Sequence, residues 1–154
     1  MGPFPHDAPK SEITAENPAG TEGFEFVEFA HPDPAELRAL FERMGYLHVA
    51  NHKTKQIELW QQGEITYVLN ADPDSFAAGF VAEHGPSAPS MGWRVGDAQH
   101  TFDRAVAKGA VPNEGEGKVL DAPAIYGIGG SLLYFVDQYY DTSPYNDEYN
   151  WIAE

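Results

Sequence analysis

The sequence predicts an α+β fold in which two βαβββ modules pair side by side. Two helical stretches of equal length carry this prediction, each opened by an aspartate and each preceded by a strand pattern. Matching positions lie 64 residues apart for Asp33 and Asp97, and 67 residues apart for Tyr67 and Tyr134. Because a single module leaves one sheet face uncovered, two of them are expected to pair around one core.

The first module begins with FEFVEFA (24–30), whose alternation predicts a strand. Asp33 is typical of a helix N-cap and Gly45 of a helix end, and the residues between them have helical spacing. The apolar positions of that helix are Leu37, Leu40, Phe41 and Met44. Three further strands are predicted, at 46–52, 56–62 and 64–71.

The second module repeats this order. SMGWRV (90–95) predicts a strand, Asp97 opens a helix and Gly109 ends it. Strands are then expected near 118–125 and over 131–139. The segments EITYVLN and SLLYFVD match, with Tyr67 and Tyr134 in the same place. A short helix is expected to link the two modules.

The predicted organisation is an extended N-terminal arm over residues 1–21 followed by one domain over 22–154. Prolines and few large apolar residues mark the arm, which we expect to lie on the surface. The domain divides into four parts: module one (about 22–71), the linking helix (about 72–85), module two (about 88–140) and a C-terminal tail (141–154).

Charge and composition exclude several classes of partner. The chain has a net charge of −15, whereas nucleic acids and anionic membranes attract proteins rich in Lys and Arg. No Cys is present, so disulfides and thiolate chemistry are impossible. No stretch approaches the roughly 20 apolar residues of a membrane helix, and no secretory signal is evident. We therefore expect a cytoplasmic protein with neither a nucleic-acid nor a membrane partner.

Paired βαβββ modules are the architecture of the vicinal-oxygen-chelate superfamily, which often holds a divalent metal inside its curled sheet. Counting from the helix-opening aspartates and the turn glycines places the four ligand positions at Phe26, Tyr67, Ser90 and Tyr134. None is a His or a carboxylate, the ligands that such metals prefer. We therefore expect no metal site, and these four side chains either line a cavity for a small aromatic ligand or fill the barrel.

Other familiar chemistries lack support. His48 and His52 share a strand at a spacing of about 13 Å, too far apart for one ion. The run GIGG (127–130) leads into a strand and not into a helix, so it predicts a tight turn and not a phosphate loop.

Three long stretches resemble the N-terminal domain of bacterial 4-hydroxyphenylpyruvate dioxygenase. They are NPAGTEGFEFVEFAHPDPAELRALFERMGY, TYVLNADPDSFAAGFVAEHGPSAPSMGWRVGDA and DAPAIYGIGGSLLYFVD, and the resemblance runs from Asn17 to Trp151. It departs from the expected pattern at Ser87, where Cys is expected, and at Gly92 and Gly96, which interrupt the usual SMAWRVVDA.

The resemblance implies a particular division of labour. The family oxidises 4-hydroxyphenylpyruvate to homogentisate in tyrosine catabolism, with Fe(II) held by two His and one Glu in a C-terminal barrel. The N-terminal barrel is then a structural and oligomerising partner, which makes a homo-oligomer possible. No iron ligand can be carried over to this chain, so we expect it to contain no cofactor and to be inactive alone.

Three hypotheses follow. The leading one is a non-catalytic N-terminal domain, with an apolar docking patch for the C-terminal catalytic barrel bordered by Tyr149, Trp151 and Ile152. The second is a free-standing, metal-free binding module for a small aromatic ligand. The third is one half of a split dioxygenase that acts in trans.

Overall fold

A computed structural model describes residues 9–140 and 142–153 of the chain. Within these ranges the polypeptide forms nine β-strands and three α-helices. The strands are β1 Gly23–Ala30, β2 Leu47–His52, β3 Ile57–Gln62, β4 Ile65–Asn70, β5 Ser87–Arg94, β6 Pro112–Asn113, β7 Ala124–Tyr126, β8 Leu132–Val136 and β9 Tyr149–Trp151. The helices are α1 Pro34–Arg43, α2 Phe76–His84 and α3 Ala98–Ala107.

Side-chain caps set the starts of the helices. The carboxylate of Asp33 accepts a hydrogen bond from the backbone N–H of Ala35 at 3.2 Å, and that of Asp97 accepts from His100 at 2.8 Å. Each bond satisfies one of the N–H groups that the first helical turn leaves without a partner. The expected aspartate caps of α1 and α3 are thus confirmed.

The strands form a single nine-stranded sheet in the order β6-β7-β8-β5-β1-β4-β3-β2-β9. Within module one, β1 pairs in parallel with β4, and within module two, β5 pairs in parallel with β8. The modules join where β1 and β5 run antiparallel. Each module therefore repeats the same strand arrangement on its own side of that junction, which confirms the predicted α+β fold of paired βαβββ modules.

The two faces of the sheet have different cores. Helices α1 and α3 cover the outer face, where their apolar stripes pack in two clusters around Phe41 and Val95. The inner face encloses one larger cluster. Its buried members include Phe26, Leu59, Val68, Leu132, Tyr134 and Tyr149.

The prediction of a strand near 118–125 is wrong over most of that range. Only Ala124–Tyr126 pairs as a strand, and a two-residue strand, Pro112–Asn113, lies beside it. Val119 and Leu120 instead turn inward and are 2% and 3% exposed. Because both consecutive side chains point into the core, the segment cannot alternate between faces as a strand must.

The C-terminal tail adds a strand that the sequence did not predict. β9 pairs antiparallel with β2, so that Tyr149 lies opposite His52. Tyr149 was expected at the edge of an exposed patch, but that expectation is wrong because its side chain is 2% exposed within the inner core. Trp151 and Ile152 are each 45% exposed. Asp141 and Glu154 of the tail lie outside the described residues.

The described part of the arm packs along the start of α3. The backbone N–H of Gly96 donates to Ala19 at 3.2 Å, and Thr101 Oγ1 donates to the same carbonyl at 3.3 Å. A Cβ atom at Gly96 would lie 3.1 Å from Ile13, closer than an ordinary contact. The absence of a side chain at residue 96 therefore leaves room for the arm. Residues 1–8 of the predicted arm lie outside the described residues.

Among the described helices, none has the length and hydropathy needed to cross a lipid bilayer.

Candidate functional site

Three of the four predicted interior positions meet on the inner face of the sheet. Phe26, Ser90 and Tyr134 are each no more than 2% exposed. The rings of Phe26 and Tyr134 lie 5.4 Å apart between centroids. They come from β1, β5 and β8, adjacent strands at the module junction, which explains why the repeat brings them together.

The placement of Tyr67 in this interior is wrong. Its ring lies on the outer face, stacked on Tyr46 at 4.3 Å and 5.2 Å from Phe41 of α1. The neighbouring Val68 belongs to the inner core. Because successive side chains of a strand point to opposite faces, a count that is wrong by one residue moves a side chain across the sheet.

A buried carboxylate that the sequence analysis missed lies beside these residues. Glu28 of β1 is 2% exposed and accepts hydrogen bonds from Ser90 Oγ at 2.6 Å and Asn70 Nδ2 at 2.8 Å. The signal was available, because Glu28 follows Phe26 by two residues and so shares its face of the strand. We call this group of Glu28, Ser90 and Asn70 the interior triad.

Burial raises the pKa of Glu28, and the hydrogen bonds from Ser90 and Asn70 only partly offset that rise. Burial likewise raises the pKa of the Tyr134 hydroxyl. Both described hydrogen-bond donors to Glu28 are neutral, and neither is a Lys, Arg or His side chain. The interior triad is therefore a satisfied polar network within a packed core.

The space in front of the interior triad is filled by the chain itself. Tyr149 Oη donates to the carbonyl of Val119 at 2.7 Å, and the N–H of Val119 donates to Tyr134 Oη at 3.2 Å. Val119, Leu120, Tyr145 and Tyr149 all belong to the inner core. Cavities of about 300, 510 and 300 Å³ open elsewhere, and none of these three is lined by Phe26, Ser90 or Tyr134.

One of these cavities adjoins a buried ion pair. Arg94 Nε donates to Glu25 at 2.6 Å, and the guanidinium carbon lies 5.2 Å and 5.5 Å from the ring centroids of Tyr140 and Tyr139. These distances are typical of cation–π contacts. These four residues line one of the two cavities of about 300 Å³. The guanidinium that faces this cavity is therefore already bound by the carboxylate and rings of the protein.

The donor set of the inner face does not fit a divalent metal or iron. Within residues 9–140 and 142–153, no three His, Asp or Glu side chains converge as a metal site requires. Glu28 is one carboxylate, and its two oxygens are already bonded to a hydroxyl and an amide. The interior triad therefore supports no step that passes through a metal.

Fold and site together define a vicinal-oxygen-chelate barrel whose interior holds a packed polar network in place of metal ligands. The family model described as "Hydroxyphenylpyruvate dioxygenase, HPPD, N-terminal" matches residues 15–150. The chain belongs to this family of hydroxyphenylpyruvate dioxygenase N-terminal domains.

Individual relatives agree with this assignment. The chain is 46% identical to Protein MelA of Shewanella colwelliana over 126 residues, which cover 82% of this chain and 36% of MelA. It is 46% identical over 134 residues to a 4-hydroxyphenylpyruvate dioxygenase of a Pseudomonas species, covering 86% of this chain and 38% of that enzyme. The chain thus spans little more than a third of these two relatives.

A solved structure extends the comparison to three dimensions. It is a fusion protein of a xylose isomerase-like TIM barrel with 4-hydroxyphenylpyruvate dioxygenase. The TM-score is 0.79 at 35% identity, over 87% of this chain and 22% of that one.

Proposed function

We propose that this domain is the non-catalytic N-terminal barrel of a 4-hydroxyphenylpyruvate dioxygenase-like protein. In this proposal a C-terminal barrel of the same family holds Fe(II) and the aryl keto acid and forms homogentisate. The present domain supplies a rigid docking partner for that barrel.

One observation carries the proposal: a chain that matches the family model over 15–150 has an inner face without an iron-binding set. The packing supports it too. Phe26, Tyr134 and the inward-turned Val119 occupy the space that a substrate would need, and each is no more than 2% exposed. A core of this kind stabilises a scaffold and leaves the chemistry to another barrel.

We place the docking patch at the sheet edge formed by β2 and β9. Leu47, Trp151 and Ile152 are 69%, 45% and 45% exposed, and the N–H of Ile152 donates to the carbonyl of Val49 at 2.8 Å. Leu47 lies in β2 and Trp151 in the neighbouring β9, and Ile152 directly follows β9. Exposed apolar groups gathered in this way are typical of interfaces between domains.

The first test concerns iron and oxygen. The chain is purified anaerobically with Fe(II), its iron content is measured, and O₂ consumption is followed with 4-hydroxyphenylpyruvate. We expect iron well below one per chain and no O₂ consumption above the level of a blank. One tightly bound iron per chain with turnover would overturn the proposal.

The second test concerns docking. The chain is co-expressed with the remaining part of the Pseudomonas dioxygenase, and the yield of complex is compared for the wild type, I152K and V111K. Val111 is 60% exposed beside β6, at the opposite sheet edge, and serves as the matched control. We expect I152K to weaken association by about tenfold or more and V111K to leave it unchanged.

The outcomes of the second test separate the hypotheses. Equal loss in both variants, or in neither, would refute docking at the β2–β9 edge. Homogentisate formation by the complex would support action in trans, whereas stable association without activity would exclude it.

A further inference from the structure

The hydrogen bonds of His52 fix its protonation state. His52 ends β2, and its Nδ1 accepts hydrogen bonds from the backbone N–H groups of Thr54 and Lys55, both at 3.1 Å. A nitrogen that accepts carries a lone pair and no proton, so the imidazole is neutral with its proton on Nε2. This tautomer is inferred from the hydrogen-bond network.

The other side of the ring faces the C-terminal segment. Nε2 lies 3.8 Å from Glu148 Oε1, beyond hydrogen-bond distance, and has no hydrogen-bond partner among the described residues. The ring packs edge-on against Tyr149 at 4.9 Å, and the side chain is 6% exposed. Tyr149 is a core residue, so His52 connects the turn at 53–55 to the interior of the domain.

The same turn holds the C-terminal segment through Lys53. Its backbone N–H donates to the carbonyl of Glu148 at 2.9 Å, and its Nζ donates to the carbonyl of Asp147 at 2.7 Å. These bonds require the turn to keep the shape that the Nδ1 acceptor of His52 imposes. Turn, ring and segment thus form one unit, which we call the His52 latch (residues 52–55 and 145–151).

We propose that the His52 latch is acid-sensitive: neutral His52 holds segment 145–151 on the sheet, and protonation of His52 releases it. The added proton must go to Nδ1, where two backbone N–H groups already point at 3.1 Å. Three donors cannot share that position, so both hydrogen bonds break or the ring leaves its site. Either event removes the support of the turn that binds Glu148.

The charges around the ring act in both directions. Burial lowers the pKa of His52 below its ordinary value, Glu148 acts to raise it, and Lys55 acts to lower it. Asp72, from the connection between β4 and α2, also acts to raise it, but the net direction is downward. Other charged or titratable groups on the packed segments are Lys53, Tyr145, Asp147 and Tyr149, with Lys118 and Asp121 on the nearby loop.

The sign of the pH effect follows from this direction. A released His52 titrates near its ordinary pKa of about 6.5, whereas the held ring titrates lower. The latch therefore contributes its full stability above pH 6.5 and loses it as the pH falls through the lowered pKa. Because protonation removes the latch and not the whole core, segment 145–151 is expected to open before the domain unfolds.

Amide hydrogen exchange on the full chain at pH 7.5 and pH 5.0, corrected for intrinsic rates, tests the latch. Peptides covering 145–151 should exchange about tenfold faster at pH 5.0, the loss expected from one or two hydrogen bonds, while α1 peptides stay protected. In H52N the amide oxygen can replace Nδ1 as acceptor and cannot be protonated, so its protection should not change between the two pH values. H31N is the matched control, because the half-buried His31 also accepts a backbone N–H at Nδ1, that of Asp33 at 2.8 Å, and H31N should respond as the wild type does.

A second measurement needs no variant. Imidazole ¹⁵N chemical shifts of the wild type should report an Nε2–H tautomer for His52 at pH 7.5 and a His52 pKa below the ordinary value of about 6.5. An Nδ1–H tautomer would overturn the proposal. So would pH-independent protection of 145–151 in the wild type, or an equal rise in exchange in H52N.

Discussion

Gly92 of β5 lies directly against the ring of Phe26. A Cβ atom built at Gly92 would approach Phe26 Cε1 to 2.5 Å and Cδ1 to 2.6 Å, where ordinary contacts begin near 3.4 Å. Phe26 is 2% exposed and also contacts Tyr134, so its ring has little room to move. G92A is therefore expected to overpack the inner core.

The magnitude combines two opposing effects. Overpacking in a dense core costs about 1–3 kcal/mol. Replacing Gly by Ala at a permitted backbone conformation contributes about 0.4–1 kcal/mol of stability by restricting the unfolded chain. The net loss for G92A is then about 1–2 kcal/mol, which lowers the Tm by roughly 2–8 °C for a chain of this size. Urea unfolding followed by tryptophan fluorescence measures the change directly, provided that the m-value is unchanged.

Two variants control this prediction. G79A lies in α2, where the new Cβ has no described atom within 4 Å apart from its chain neighbours and the backbone of its own helix, so it should stabilise the protein by up to about 1 kcal/mol. F26L removes the ring, so the double variant F26L/G92A should lose less stability than the sum of its single variants. Stability of G92A equal to or above the wild type, or strict additivity in the double variant, would refute the reasoning.

Three further predictions concern the interior and one helix cap. Burial raises the pKa of Glu28, so the folded carboxyl contributes stability at low pH that is lost as the pH rises through that raised pKa. Urea unfolding at several pH values should therefore show the free energy of unfolding of E28Q rising relative to that of the wild type from pH 4 to pH 8. A constant difference between the two proteins would contradict this. Y149F leaves the buried carbonyl of Val119 without its 2.7 Å donor and should cost roughly 1–3 kcal/mol in thermal unfolding, whereas an unchanged Tm would show that the contact is unimportant. D97A removes the N-cap of α3 and should cost about 1 kcal/mol by circular dichroism melting, with D97N as the control that keeps an acceptor.

Local patterns predicted the helices and the order of elements along the first module well. Asp33 and Asp97 cap α1 and α3 as expected, because an N-cap bond forms within a few residues of the chain. Long-range placement was predicted less well. Tyr67 lies on the outer face and Glu28 on the inner one, and a residue count from a turn cannot assign faces once the parity is wrong by one.

The loop before β7 shows a second limit of local reasoning. Val119 and Leu120 read as strand residues, yet both fill the inner core, where Tyr134 and Tyr149 bond to the backbone of Val119. Those partners come from β8 and β9, more than a dozen residues further along the chain. No pattern confined to 118–125 contains that information.

The sequence by itself determined the paired-module architecture and the absence of Cys. It also determined that four counted ligand positions carry no His or carboxylate. Each of these follows from residue identity and local spacing, which can be read from the sequence alone. The tertiary structure alone decided that Glu28 meets Ser90 and Asn70, that Gly92 lies against the ring of Phe26, and that His52 packs against Tyr149. Such contacts join residues distant in the chain, and only folding of the whole sheet brings their atoms within bonding distance.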